Sequence, residues 1–275
     1  ESTKVIKGCE RFIELFGPDA EALFLLGVAQ YELKQYEAAL HHFRETLKLD
    51  IDHTDSLFWE GLTLLELFQF NEAIACFERV EDNNPDDYMA WFYHGKALFS
   101  LKELQKAEFI LKHSLAINDQ SYDAWYLLAE VQSLQKSYSD ALQSIGRALD
   151  LVPSDIGALI TKAGIQASLG SFKGACQTYA AISEPHASEG KVLYGYAKAL
   201  YHTGQFHDAF SKVTRLLSSD EKNPELWELK AKIKRAQGQF EEAAAALAEA
   251  CKYAPQNKKL LSLQGIVLYE AEKYP

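Results

Sequence analysis

The sequence predicts an all-α solenoid built from stacked helical hairpins. Three observations predict it. Similar stretches recur at a fixed spacing of 34 residues. Small residues recur at fixed positions inside each stretch. Each stretch also holds two apolar runs at helical spacing, divided by a break that carries Gly170, Gly204 and Gly238 in three copies.

The copies begin at Ala20, Thr54, Tyr88, Tyr122, Ile156, Gly190 and Pro224, with a partial copy from Lys258 and no insertion. Position 4 of the copy is large: Leu23, Leu57, Trp91, Trp125, Leu159, Leu193, Trp227 and Leu261. Position 8 is small: Gly27, Gly61, Gly95, Ala129, Ala163, Ala197, Ala231 and Gly265. Position 17 is Tyr36, Phe70, Leu104, Tyr138, Phe172, Phe206, Phe240 and Tyr274. Position 20 is alanine from Ala39 to Ala243 in all seven complete copies, and position 32 is proline at Pro85, Pro153 and Pro255.

Each element follows. Residues 3–16 form a leading helix. Within a copy, positions 1–14 and 18–31 form two helices, and positions 15–17 form the turn between them. Small residues at positions 8 and 20 let the two helices close on each other, and the large residues at 4 and 17 fill the space beside them. A single hairpin cannot bury its apolar face, so copies must stack, giving about sixteen helices. One copy is irregular: Pro185 falls at position 30, where a proline removes a donor and disfavours helix before it. That second helix is predicted to end two residues early, with a longer exposed link over 183–190.

The pattern W/L–x3–G/A, Y/F–x2–A and proline on a 34-residue period resembles the tetratricopeptide repeat (TPR) family. The resemblance covers nearly the whole chain and implies a single solenoid over 1–275 with a right-handed superhelical path. It also implies that the first helix of each repeat lines a concave groove through positions 2, 5, 9, 12 and 13. In the first four repeats these positions give Phe24, Tyr31, Phe58, Phe92, Lys96, Phe99 and Tyr126, with acidic residues such as Glu21, Asp55 and Glu66. The fifth repeat gives Gly157, Ile160, Gly164, Ala167 and Ser168, small enough to leave a pocket. The sixth and seventh give Lys191, Tyr194, Lys198, Tyr201, Lys232 and Arg235, beside Glu225 and Glu228. The expected occupant is a peptide or helix of a partner protein, with apolar anchors on the first three repeats and charge setting its direction. Aromatics at positions 5 and 12 are equally part of a generic repeat pattern. TPR domains that clamp chaperone C-termini carry lysine at position 5 and asparagine at position 9 of their first repeat, and neither is present. Position 7 holds Glu60, His94, Lys162, Tyr196 and Lys230, read either as side chains reaching to water or as a polar network between repeats.

Bulk properties narrow the partner. The 275-residue chain is 48% hydrophobic and carries a net charge of −11. Residues 1–121 hold 22 acids and 11 bases, whereas residues 122–275 hold 17 of each, so the whole excess lies in the first part. This excludes a nucleic-acid surface, which needs a basic stripe, and docking on anionic lipid. No apolar run approaches the roughly 20 residues that span a bilayer. Cys9, Cys76, Cys176 and Cys251 form no paired motif, and no asparagine begins a glycosylation sequon, which points to a cytoplasmic setting. Both ends stop inside the repeat pattern, so the chain is read as a fragment of a longer protein from which a targeting segment could be missing.

Chemistry is not predicted. The phosphate-loop, dinucleotide, zinc-protease and serine-hydrolase motifs are absent. His41 and His42 are adjacent, hence about 100° apart on a helix, and cannot chelate together. His202 and His207 flank a turn. Asp86–Asp87 and Glu241–Glu242 sit at helix starts, where acidic groups favour the helix dipole. No cofactor, metal or catalytic residue is expected. The chain reads as a protein-binding scaffold. A structural subunit of an assembly, including self-association, and a substrate-recruiting arm of an enzyme remain the alternatives.

Overall fold

Each repeat is a pair of helices closed by the same turn. The computed structural model describes residues 2–184 and 186–273, which hold sixteen α-helices, one 3-10 helix and no strand. Helix α1 (Ser2–Phe16) precedes the repeats. The repeats then run α2 (Ala20–Glu32) and α3 (Tyr36–Leu49), α4 (Thr54–Glu66) and α5 (Phe70–Asn83), α6 (Tyr88–Ser100) and α7 (Leu104–Ile117), and α8 (Tyr122–Leu134) and α9 (Tyr138–Leu151). These make a first compact unit, Glu1–Leu151; Val152–Pro275 make a second. The second holds α10 (Ile156–Ser168) and α11 (Phe172–Ala180), the 3-10 helix His186–Ser188, α12 (Gly190–His202) and α13 (Phe206–Ser219), α14 (Pro224–Ala236) and α15 (Phe240–Tyr253), and α16 (Lys258–Lys273).

The first helix of each pair has 13 residues, and all but α12, where Glu189 makes no cap bond, start on a side-chain cap. Asp19, His53, Asp87, Ser121, Asp155 and Asn223 accept hydrogen bonds from backbone N–H groups two or three residues on, which satisfies donors that the first turn leaves open. It ends in a Schellman turn: the N–H of Gln35 donates to the carbonyl of Gln30 at 2.9 Å, and the six later repeats use the equivalent bond. That turn needs a left-handed residue at position 15. Glycine supplies it at Gly170, Gly204 and Gly238, but Lys34, Phe68, Lys102 and Lys136 adopt φ of 59–65° without glycine's freedom. Because the turn closes at position 16, the second helix starts at position 17, one residue earlier than the apolar pattern suggested. A left-handed non-glycine residue costs about 1–2 kcal/mol, partly offset by its more restricted unfolded chain. Phe68→Gly is therefore expected to stabilise the protein by about 0.5–1 kcal/mol in urea denaturation. The side chain, 79% exposed, has little packing to lose. A loss of stability would show that its edge contact with Phe70, at 6.1 Å between ring centroids, outweighs the strain.

Positions 8 and 20 act as read. Ala39, Ala73, Ala107, Ala141, Ala175, Ala209 and Ala243 are fully buried. A Cβ on Gly61 would stand 2.7 Å from the Phe77 ring, and one on Gly27 2.6 Å from Phe43, so those glycines admit a phenylalanine from the partner helix. The position-4 tryptophans tie each repeat to the loop before it: Trp91, Trp125 and Trp227 donate from Nε1 to the carbonyls of Pro85, Asp119 and Glu221 at 2.7–2.9 Å.

Two expectations need correcting. The irregular helix α11 ends at Ala180, five residues short of the 14-residue second helices rather than two. The Ala181 N–H is shared between the carbonyls of Gln177 and Thr178, and Ile182 leaves the helix to become buried, 4% exposed, in the core of the second unit. Burying Ile182 outweighs one more helical turn. The link after it is accordingly not wholly exposed, since Ala187 packs on the same core. Pro185, the residue expected to end this helix, and Tyr274 of the partial repeat lie outside the described residues. Position 7 is also resolved: Glu60 and His94 are buried, 7% and 6% exposed, and paired with Arg44 and Glu81, so a polar network rather than a path to water operates there. Lys162 and Lys230 are only partly covered.

Candidate protein-binding surfaces

In the first unit, α2 touches α4, α4 touches α6 and α6 touches α8, while the second helices of successive repeats approach one another less. The stack therefore curves with the first helices inside. Positions 5 and 12 lie on that inner side. Phe24, Tyr31, Phe58, Phe92, Phe99 and Tyr126 are all half-buried: one face rests on the core and the other meets solvent. Phe58 lies on Phe77 at 6.0 Å and on Tyr93 at 5.7 Å, and Tyr31 meets Trp59 edge-on at 5.2 Å. Trp59 and Tyr93 are position-6 residues that the position-based reading missed. They join the aromatics of one repeat to the next, and the signal for them was an aromatic at a position that is Gly195 or Thr161 elsewhere. Lys96 sits over the Tyr93 ring at 5.5 Å and Lys102 over Phe99 at 5.3 Å, so both cations cover aromatic faces. Burial and the nearby Glu66 carboxylate push the Tyr31 phenol up to about 12, which keeps it a neutral donor. Glu21, Glu32, Asp55, Glu66 and Asp123 are exposed around these rings. The surface is thus aromatic with an acidic rim.

The inner side of the second unit differs. Lys191 and Lys198 are exposed, and neither makes an ion pair among the described residues. The other two basic residues are engaged. Lys232 pairs with Glu228 at 2.6 Å, and Arg235 makes a two-pronged bond to Glu270 at 2.7 and 2.5 Å. The basic character therefore concentrates in the sixth repeat and fades in the seventh. Tyr194 lies under Lys198 at 5.4 Å and donates to Glu225 at 3.4 Å, and Tyr201 packs on Phe206 at 6.0 Å. A pocket of about 410 Å3 opens beside the fifth repeat, floored by Gly164 and Ala167 and walled by Phe172, Lys191, Lys198 and His202. His202 stacks on Phe172 at 4.2 Å; burial, with Lys198 and Lys232 nearby, pushes its pKa down.

The outer side of the first unit carries a second depression of about 620 Å3, bordered by Ile74, Leu98, Ile110 and Phe109, the last 71% exposed. Among the described residues no group of three histidine, cysteine, aspartate or glutamate side chains could hold a metal ion, and no helix is long and apolar enough to cross a membrane. The four cysteines are unpaired, and burial pushes the Cys76 thiol up to about 12, consistent with a packing role.

Comparison with known proteins agrees with this architecture. A family model described as tetratricopeptide repeat matches residues 60–113 and 228–275, and one described as anaphase-promoting complex, cyclosome, subunit 3 matches residues 5–80. No curated protein sequence matches the chain. Among solved structures, a tetratricopeptide repeat protein from Parabacteroides merdae superposes with a TM-score of 0.63 at 15% identity, over 90% of this chain and 98% of its own. YrrB, described as a TPR protein with an unusual peptide-binding site, superposes with a TM-score of 0.62 at 16% identity, over 69% of this chain and 97% of its own. MamA follows at 0.56 and 18% identity, over 68% of this chain and 94% of its own. These likenesses establish the fold. Together with the 34-residue repeat and its Schellman turns, the matching family model identifies tetratricopeptide repeats at residues 60–113 and 228–275.

Proposed function

We propose that this chain is a protein-interaction scaffold that takes a peptide or helix of a partner on the inner faces of its first helices. One observation carries the reading: six aromatic side chains at positions 5 and 12 of four consecutive repeats stand half-exposed on one side of the first unit. Half-exposed aromatics on a rigid scaffold offer large contact area at low entropic cost, the usual make-up of an affinity hot spot. The acidic rim would then favour basic residues flanking the partner's apolar anchors. YrrB's described peptide-binding site is compatible with this reading, and the family's general role in protein association supports it.

The test is binding of peptides from a random display library to the full chain, followed by Phe58→Ala/Phe92→Ala. Loss of two anchors should weaken a peptide seated on the first unit by roughly 100-fold, since each hot-spot truncation costs about 1–2 kcal/mol or more. Unchanged affinity of all selected peptides would sink the reading for that unit. A structural-subunit role is the second reading, favoured by the exposed Phe109 beside the outer depression. It calls for self-association in light scattering that Phe109→Ser abolishes while leaving peptide binding intact.

A further inference from the structure

We infer that the pocket of the second unit is a socket for a carboxylate side chain of an acidic peptide; this rests on the proposal that inner helix faces hold peptides. Four features build it. The first is room. Repeat five presents Gly164 where the first three repeats present Val28, Leu62 and Lys96, and Ala167 where they present Tyr31, Leu65 and Phe99, and a Cβ on Gly164 would meet nothing within 4 Å. The second is unspent positive charge. Lys191 and Lys198 both border the pocket and neither has an ion-pair partner among the described residues, unlike Lys232 and Arg235.

The third is a donor open to the pocket. Tyr179 is 6% exposed as a residue, but its hydroxyl oxygen reaches solvent and makes no protein hydrogen bond among the described residues. It faces the pocket across Gly195, whose missing Cβ would otherwise lie within 2.2 Å of that oxygen. A hydroxyl that faces the pocket and is unused by the protein can donate to an acceptor seated there. The ring itself is held by stacking on Tyr196 at 5.9 Å. The fourth is the wall: Phe172 stacked on His202 supplies an apolar side against which a glutamate's methylenes can lie. A carboxylate here would accept from the Tyr179 hydroxyl and pair with Lys191 or Lys198, a charge-assisted arrangement in a partly desolvated site. A basic or neutral side chain would leave both lysines facing it uncompensated.

The experiment selects random dodecamer peptides on the full chain and subtracts those that also bind Gly164→Leu. That variant fills the pocket and replaces a mid-helix glycine, so its thermal stability should rise rather than fall. The peptides that remain depend on the pocket. They should carry glutamate or aspartate at one fixed position, and changing that residue to glutamine should cost at least tenfold in affinity. Tyr179→Phe should lose about tenfold for the acidic peptide, as expected for a hydrogen bond to a charged group. It should leave the glutamine peptide and the melting temperature unchanged, which a merely structural tyrosine would not do. Lys198→Glu should invert the preference towards lysine. If peptides bind but none depends on the pocket, or the dependent ones lack acidic residues, the socket is overturned while the groove reading stands. If no peptide binds the chain at all, the groove reading falls and the socket with it.

Discussion

Phe77→Ala should lose about 3–5 kcal/mol of stability, the range for deleting a buried aromatic ring when the surroundings relax only partly. Phe77 is fully buried between α4 and α5. It stacks on Tyr93 at 6.0 Å and supports Phe58 at 6.0 Å, so its removal undermines two rings of the inner face as well as the core. Peptide affinity of the first unit should fall together with stability, although Phe77 itself touches no partner. The sharper form of the prediction concerns Gly61, against which the ring lies. Gly61→Ala alone should cost about 1–3 kcal/mol, because a methyl 2.7 Å from an immobile ring is overpacking. In a Phe77→Leu background the same change should cost nothing or stabilise, since alanine is the better helix former by about 0.5–1 kcal/mol. Repeat seven already uses that combination, Ala231 facing Leu247 across the equivalent positions, both buried. The double-mutant cycle, read from urea midpoints at constant slope, should thus give a coupling above about 1 kcal/mol. Additive costs would show that the two helices can move apart, and that the glycine is not there for the ring.

The repeat made most of the fold legible. Seven in-phase copies fixed the helix count, the hairpin pairing and the buried faces, because alanine at position 20 and a small residue at position 8 have one physical use, close helix approach. The left-handed turn was visible only where glycine marked it. Lys34, Phe68, Lys102 and Lys136 give no local signal; the Schellman hydrogen bonds impose the same φ on them. The end of α11 was misplaced because burial of Ile182 is a tertiary event that a proline rule cannot price. For the inner face, the position rule located single side chains but not their partners. It could not see that Glu270 neutralises Arg235, since that pair joins α14 to α16, and it scored Lys232 without its i,i+4 neighbour Glu228 on the same helix. Nor could it see Tyr179, which belongs to a second helix and reaches the pocket only because Gly195 makes way.

Arg44→Ala and Glu60→Leu remove opposite ends of one ion pair and should have very unequal effects. The Arg44 Nε donates to Glu60 at 2.8 Å and its Nη2 to Glu72 at 2.8 Å, linking α3 of one repeat to α4 and α5 of the next. The Glu60 side chain is 9% exposed, whereas that of Arg44 is 46% exposed. Losing the arginine strands a carboxylate in the repeat interface. Breaking a fully buried pair in this way costs about 3–5 kcal/mol, and the half-exposed guanidinium lowers the expectation to about 2–3. Losing the glutamate strands nothing, because Arg44 keeps Glu72 and reaches water. Leucine also already occupies the position in repeats one and four, where Leu26 and Leu128 are 3% and 2% exposed. Glu60→Leu should therefore be neutral within about 0.5 kcal/mol or stabilising. Adding Arg44→Met to Glu60→Leu should recover most of what Arg44→Ala loses. Such an outcome would mean that the pair contributes little net stability and instead restricts which repeat fits against which. An exchange of repeats one and two should then be tolerated by the leucine variant and rejected by the native pair. Equal losses from Arg44→Ala and Glu60→Leu would contradict this and make the ion pair a true stabiliser of the stack.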